Sequence, residues 1–369
     1  MKYLKILFSV MLSLVIVSSS IAHSEDDISI PNTFDYMGPV VHSVSQGNRD
    51  VFYIDEGPRN GIPVVVIWGG GSSIRALRLV DMFRTLRNQL NLRMISVEQN
   101  GMGQSLLDPS RNLINYAEDV ESVLAHLGID KFSLFGISFA GPPLAVLAAR
   151  NPNRIRSLHL ASLYSGPNDI EGNLINDAVV GYFCATPLAG LQPYLRFVAM
   201  TPKSWWDIGP AVPSQVPGFS DTAYEEGLYN FLVNGQGLLS ELDPSAPGKN
   251  LAEQITENCP GIGGNDLSVI TAPTFIYHGD SDGTVSILHT AVFEQALPNS
   301  KITGRIYPDE GHDAGRLHFE QILADIKFID GDRLVVCERD KQKSLITTEE
   351  KANKILRKGG TLGICAWDR

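Results

Sequence analysis

The chain has 369 residues, 43% of them hydrophobic, with 41 acidic against 30 basic side chains and a net charge of −11. That size and composition fit one large α/β domain with an insertion or a small appendix, and exclude a repeat array or a low-complexity chain. The acidity argues against nucleic acid or an anionic membrane as the main partner.

Lys2 and Lys5 give a basic start, residues 6–17 form a largely apolar run, and Ser20-Ile21-Ala22 supplies the small residues that a signal peptidase reads. The run is short for a membrane span. Residues 1–22 therefore read as a signal peptide cleaved after Ala22, and the protein as secreted or periplasmic, with no membrane attachment after cleavage. Cleavage leaves 28 basic against 41 acidic side chains, a net −13. The four cysteines (Cys184, Cys259, Cys337 and Cys365) all lie beyond it. An even count in an oxidising compartment favours disulfides. Three pairings are open, of which local grouping favours Cys184–Cys259 and Cys337–Cys365. The spacing matches no zinc pattern, so no metal is expected.

After a polar leader, residues 40–44 and 51–54 alternate around Gln46-Gly47-Asn48 and predict an antiparallel hairpin. Pro63-Val64-Val65-Val66-Ile67-Trp68 is nearly continuously apolar, as in a strand buried on both faces of a parallel sheet. It ends in Gly69-Gly70-Gly71-Ser72-Ser73, which lacks the lysine and spacing of a phosphate-binding P-loop and suits backbone N–H groups facing a site. An amphipathic helix with Leu77, Leu79, Val80, Phe83 and Leu86 follows. Residues 92–97 predict a strand, and residues 115–127 a helix with Ala117, Val120, Val123, Leu124 and Leu127 on one stripe.

Phe132-Ser133-Leu134-Phe135-Gly136-Ile137-Ser138-Phe139-Ala140-Gly141 then reads as a buried strand, a sharp turn with Ser138 at its apex, and the start of a helix ending near Arg150. Small residues at Gly136 and Ala140 let strand and helix approach while the serine stands exposed, the arrangement of a nucleophile elbow. Pro142 and Pro143 fall in the helix's first turn, where N–H groups lack intrahelical partners anyway. Residues 154–161 form the next strand. The alternation breaks over 166–267, a glycine- and proline-rich stretch with Trp205 and Trp206 that reads as an inserted cap, with helices expected at 177–183, 191–200 and 222–232. It resumes with a strand at 273–278, the loop Gly279-Asp280-Ser281-Asp282-Gly283-Thr284, a helix over 285–297, a last strand over 301–307, and Asp309-Glu310-Gly311-His312 ahead of a helix over 317–328. Residues 331–369 read as a small module: a strand at 334–337, a charged helical stretch, and a glycine-rich end, with a cysteine at each end to staple it.

Strand–helix alternation implies a mostly parallel sheet with right-handed crossovers. Loops at the carboxyl ends of its strands converge on one edge, and Ser138, Asp282, His312 and Gly69-Gly70-Gly71 all fall on such loops. In this order they resemble the α/β-hydrolase fold family, over residues 40–329. The resemblance implies an α/β fold with helices on both faces of a mostly parallel sheet. It divides the chain into core (23–165), cap (166–267), second core segment (268–330) and C-terminal disulfide-closed appendix (331–369). It also implies Ser138 as nucleophile, His312 as general base and then acid, Asp282 as the orienting carboxylate, and an oxyanion hole of the Gly70 and Phe139 N–H groups. No cofactor is implied. Asp280 is the rival acid; His278 and His318 are rivals to His312, although only His312 follows the last strand directly. Four other histidines (His42, His126, His159 and His289) read as structural or exposed.

A serine implies acyl transfer through an acyl-enzyme that water resolves. Glu98-Gln99-Asn100-Gly101-Met102-Gly103-Gln104-Ser105 is similar to a loop of prolyl aminopeptidase-like relatives, but departs at Glu98 and Asn100. The expected function is an exported serine hydrolase of a small-molecule carboxylic ester. Two alternatives are an aminopeptidase acting on short peptides, with Glu225, Glu226 or Glu241 reading the amino terminus, and a binding protein that keeps the fold without chemistry.

Overall fold

The computed structural model describes residues 27–30, 40–69, 74, 83–166, 257–282, 285–312 and 314–365. The expected signal peptide, the glycines beyond Gly69, Cys184 and the three expected cap helices lie outside them. Eight strands make the main sheet: β2 (Val41–Gln46), β3 (Arg49–Glu56), β4 (Ile62–Ile67), β5 (Leu92–Val97), β6 (Phe132–Ile137), β7 (Ile155–Ala161), β8 (Thr274–Gly279) and β9 (Ile302–Tyr307). Their spatial order is β2-β3-β5-β4-β6-β7-β8-β9. The β2–β3 and β3–β5 pairs are antiparallel, and every pair from β5 to β9 is parallel. The expected hairpin closes at Gly47, whose φ of 65° is left-handed.

Central strands β5, β6 and β8 are buried along their whole length, because helices cover both faces. On one face lie α2 (Leu113–His126), α3 (Gly141–Arg150) and α4 (Leu288–Ala296); they bury Val120, Leu124, Leu144, Leu147 and Phe293 against Leu134, Leu158 and Ile276 of the sheet. Helix α2 begins at Asn112, whose side chain accepts from the Ile114 and Asn115 N–H groups in a capping box. The other face carries α1 (Arg84–Gln89), α5 (Ala314–Leu317) and α6 (Phe319–Lys327), which bury Leu86, Ala314, Phe319, Ile322 and Leu323 against Phe135, Ile137 and Tyr277.

Beneath α6 a buried polar chain runs across three strands. The Tyr277 hydroxyl donates to Asp325 Oδ2 at 3.0 Å, so it accepts from His159 Nδ1 at 3.0 Å. His159 Nε2 then accepts from Ser157 Oγ at 2.8 Å, which pairs with Ser133 Oγ at 2.8 Å. Burial pushes His159 down to about 3, keeping it neutral as this chain requires. Asp325 also receives the Arg305 guanidinium, at 2.8 Å and 3.1 Å.

The two flanks of the expected insertion meet where β7 ends: the Ile262 N–H donates to the Ser165 carbonyl at 2.8 Å. The C-terminal segment differs from the expectation of a strand followed directly by a helix. After β10 (Arg333–Glu338) comes a further strand, β11 (Lys343–Thr348), before α7 (Glu349–Leu356) and the short β12 (Thr361–Leu362). These join β1 (Ile28–Ser29), from the stretch read as polar leader, in an antiparallel sheet of order β1-β11-β10-β12. Cys337 and Cys365 form a disulfide with Cα atoms 4.8 Å apart. Cys259 is also disulfide-bonded. Among the described residues, no helix is long and apolar enough to cross a membrane.

Asp325→Ala would leave the half-buried Arg305 without its counter-charge. We expect it to lower stability in urea by about 3–5 kcal/mol; a loss of about 1 kcal/mol or less would show that the pair carries little of the packing between α6 and the sheet.

Candidate active site

Strand β4 sits between β5 and β6, so chain order reverses at its carboxyl end, and the loops after β4 and β6 open side by side. Gly69 follows β4, and Ser138 follows β6. A Cβ on Gly69 would lie 3.0 Å from Ser138 Cβ and 3.5 Å from its Oγ; the missing side chain keeps the hydroxyl accessible. Ser138 has a φ of 56°, a left-handed conformation that costs a non-glycine residue about 1–2 kcal/mol. The turn is held by its surroundings: the Tyr164 N–H donates to the Ser138 carbonyl at 2.9 Å. Phe139 stacks on Tyr164 with centroids 4.8 Å apart and planes 12° apart. Gly136 and Ala140 allow the close approach expected of them, since a Cβ on Gly136 would meet Ala140 Cβ at 3.3 Å.

The structure brings Ser138, His312 and Asp282 together. His312 Nδ1 lies 2.9 Å from Asp282 Oδ2, and Nε2 lies 2.9 Å from Ser138 Oγ. A carboxylate only accepts, so Nδ1 carries the proton and Nε2 accepts from the serine hydroxyl. His312 and Asp282 are buried, and Ser138 is half-buried. Asp282 Oδ1 accepts from the Val285 N–H at 2.9 Å, and Oδ2 has a second donor in His278 Nε2 at 3.2 Å. Burial pushes the Asp282 carboxyl up, but the His312 charge and the hydrogen bonds from His278 and His312 outweigh it and hold the group well below the usual carboxylate range.

The rival residues take other places. Asp280 Oδ1 accepts from the Asp309 N–H at 2.8 Å and from Ser281 Oγ at 3.1 Å, bracing the two loops rather than meeting an imidazole. His278 donates to the Val285 carbonyl at 2.8 Å as well as to Asp282, so it serves the acid rather than the serine. His318 pairs with Glu310. The His312 loop is fixed further by Ser162 Oγ, which donates to the His312 carbonyl at 2.9 Å, and by the Ser281 N–H, which donates to the Glu310 carbonyl at 3.0 Å. Sequence reasoning named His278 only as a rival base and missed its role beside Asp282, and it missed Ser162. A histidine four positions before the acid, at the end of the same strand, was the available signal for the first; nothing local marked the second.

Of the two expected oxyanion donors, Phe139 is the middle residue of the single 3₁₀ turn Ser138–Ala140 that runs into α3, where helix-terminal N–H groups favour negative charge. Gly70 lies outside the described residues. Its loop is tied at both flanks: Gln99 Nε2 donates to the Trp68 carbonyl at 3.1 Å, and Glu98 Oε1 accepts from the Ile74 N–H at 3.1 Å. The departure at Asn100 has a role too, because Asn100 Nδ2 donates to the Asp108 carbonyl at 3.0 Å and to Glu257 Oε1 at 2.9 Å. Glu225, Glu226 and Glu241 lie outside the described residues. Among the described residues, no cluster of histidine, cysteine and acidic side chains could hold a metal ion.

A family model described as alpha/beta hydrolase fold matches residues 62–315. Among solved structures, a carboxylesterase study protein from Nitrososphaera gargenis is similar at 17% identity and a TM-score of 0.55, covering 78% of this chain and 98% of that one. An esterase from Rhodococcus sp. ECU1013 is similar at 19% identity and a TM-score of 0.54, covering 79% and 98%. A hydrolase from Pseudomonas aeruginosa PA01 is similar at 14% identity and a TM-score of 0.54, covering 79% and 97%. No curated protein matches.

The depressed Asp282 carboxyl has a pH consequence. An unfolded aspartate titrates near about 3.9, so the stabilisation from ionised, hydrogen-bonded Asp282 is fully present above that value and is lost as the pH falls through the lower folded one. We expect wild type to exceed Asp282→Asn in stability by a constant margin down to about pH 5, with the margin narrowing below about pH 4. A margin that held constant to pH 2 in parallel acid titrations would contradict this.

Proposed function

Because the chain belongs to the α/β-hydrolase fold family, we propose that it is an exported serine hydrolase that cleaves a small-molecule carboxylic ester through an acyl-enzyme on Ser138. One observation carries the reading: a buried carboxylate, an imidazole and a half-buried hydroxyl on a strained turn stand in one hydrogen-bonded line. A serine hydroxyl is a weak nucleophile until a base takes its proton. His312 Nε2 accepts that proton as Ser138 Oγ bonds to the ester carbonyl carbon. Asp282 holds the tautomer and stabilises the imidazolium, and the Phe139 N–H, with the glycine loop, receives the oxyanion. His312 then returns the proton to the leaving alcohol. Water, deprotonated by the same imidazole, attacks the acyl carbon, and the acid product leaves with Ser138 restored.

The esterases similar in fold support an ester substrate, and the Cys337–Cys365 disulfide supports an oxidising compartment. With cleavage after Ala22, exported protein begins at residue 23; intact mass measurement finding Met1 on the exported form would refute this.

Ser138→Ala should lose short-chain ester turnover by about 10⁴-fold or more, together with labelling by a fluorophosphonate probe. Asp282→Asn should lose about 10⁴-fold in kcat by reversing the imidazole tautomer, while Asp280→Asn, whose Oδ1 still accepts from Asp309, should stay within about tenfold. Undiminished turnover in Ser138→Ala would end the reading. Matched aminoacyl amides run beside the esters decide between ester hydrolase and aminopeptidase: sustained amide turnover selects the peptidase, and a complete lack of it counts against that reading.

A further inference from the structure

Helix α6 and the residue that caps it carry a row of polar side chains that the ester chemistry leaves unused. His318 is the N-cap residue, Glu320 and Gln321 lie in the first turn, and all three are buried. Each reaches out of the hydrolase core or back into it at a definite point. His318 Nε2 lies 2.7 Å from Glu310 Oε1, and Glu310 stands two residues before His312. The His318 ring lies flat on Tyr307, with centroids 3.8 Å apart and planes 3° apart. Its other nitrogen faces Gly363, where a Cβ would lie 3.2 Å from His318 Nδ1 and 3.5 Å from Glu320 Oε1. The Ile364 N–H donates to Glu320 Oε1 at 3.3 Å, and the Val335 N–H donates to Gln321 Oε1 at 2.8 Å.

We propose that Glu310 and His318 are positioning residues through which the disulfide-closed C-terminal sheet holds His312 in line with Ser138. The proposal rests on the assignment of His312 as the general base. Glu310 is gripped at both ends: its carbonyl by the Ser281 N–H, beside Asp282, and its carboxylate by His318. His318 in turn is held between the Tyr307 ring and the Gly363 backbone. The C-terminal segment stays on α6 because Cys365 is tied to Cys337 of β10 and its N–H donates to Ser344 Oγ of β11 at 2.8 Å. A sheet whose outer strands are only two residues long cannot hold this register by burial alone, so the disulfide supplies the constraint. Opening it frees Gly363-Ile364 from α6, and the Glu310 side chain loses the rigid partner that fixes the His312 loop.

The test uses the full chain with three changes at the contact with the C-terminal sheet and a pair of changes at Glu310. His318→Phe keeps a ring on Tyr307 but cannot donate to Glu310. Gly363→Ala pushes a methyl at His318. Cys337→Ser with Cys365→Ser removes the cross-link. Ester kcat and KM are measured separately, and backbone hydrogen exchange is followed by mass spectrometry. The expected result is a kcat lower by about 10- to 100-fold, the cost of a misplaced catalytic group, with KM within about twofold and faster exchange confined to residues 307–314 and the C-terminal sheet. Glu310→Gln, which still presents an acceptor, should recover most of the kcat lost in Glu310→Ala. Wild-type kcat and wild-type exchange over 307–314 in His318→Phe would overturn the proposal, as would exchange raised evenly through the chain. If the cysteine variant fails to fold, the His318 and Gly363 variants decide. If wild type turns over no ester, the hydrolase reading fails, while the exchange pattern still decides whether the sheet orders the His312 loop.

Discussion

Two loops that hold each other set the geometry of the rim. The segment after β8 carries Asp282, the segment after β9 carries His312, and beside the Asp282–His312 pair three hydrogen bonds join them: Asp280 N–H to Tyr307 O at the end of β9, Asp309 N–H to Asp280 Oδ1, and Ser281 N–H to Glu310 O. The fit leaves no room for a side chain at Gly279, where a Cβ would lie 2.1 Å from the Glu310 carbonyl. Neither loop positions its functional residue alone. The carboxylate is aimed by the strand that ends at Gly279, and the imidazole by a loop that is itself registered on that strand's neighbour.

Burial makes this arrangement effective and costly at once. Taking a carboxylate out of water costs several kcal/mol, and hydrogen bonds to a charged group return about 1.5–3 kcal/mol each. Asp282 receives at least three donors, from Val285, His278 and His312, enough to offset the loss. His278 is therefore more than a packed histidine. With Val285 it adds donors to the acid beyond the one that His312 supplies.

The central strands could be read from the chain because a segment covered on both faces must be largely apolar, and β4, β5 and β6 are, with Arg93, Ser96 and Ser133 as the polar exceptions in β5 and β6. The elbow could be read because few side chains fit where Gly136 and Ala140 sit. What escaped depends on partners distant in sequence. Ile28–Ser29 becomes a strand only by pairing with Ile346 and Leu345, across some 300 residues, while the Ser344-Leu345-Ile346-Thr347 stretch is held mainly by β10; alone, one is a polar leader and the other a few apolar residues among charges. The separation of Asp280 from Asp282 could be read only through the family resemblance, which makes Asp282 the acid. It arises from which carboxylate the loop turns toward Asp309 and which toward His312.

The chain thus combines a family core with a C-terminal sheet that lies beyond the matched residues yet packs on the helix behind the His312 loop. The central claim is a covalent intermediate on one hydroxyl. Acid quenching of a slowly deacylating ester during turnover, followed by peptide mass mapping, tests it most directly. The account predicts an acyl group on the peptide containing Ser138, forming at least as fast as product is released. Steady turnover with no acylated peptide, or with the acyl group on another residue, would contradict it.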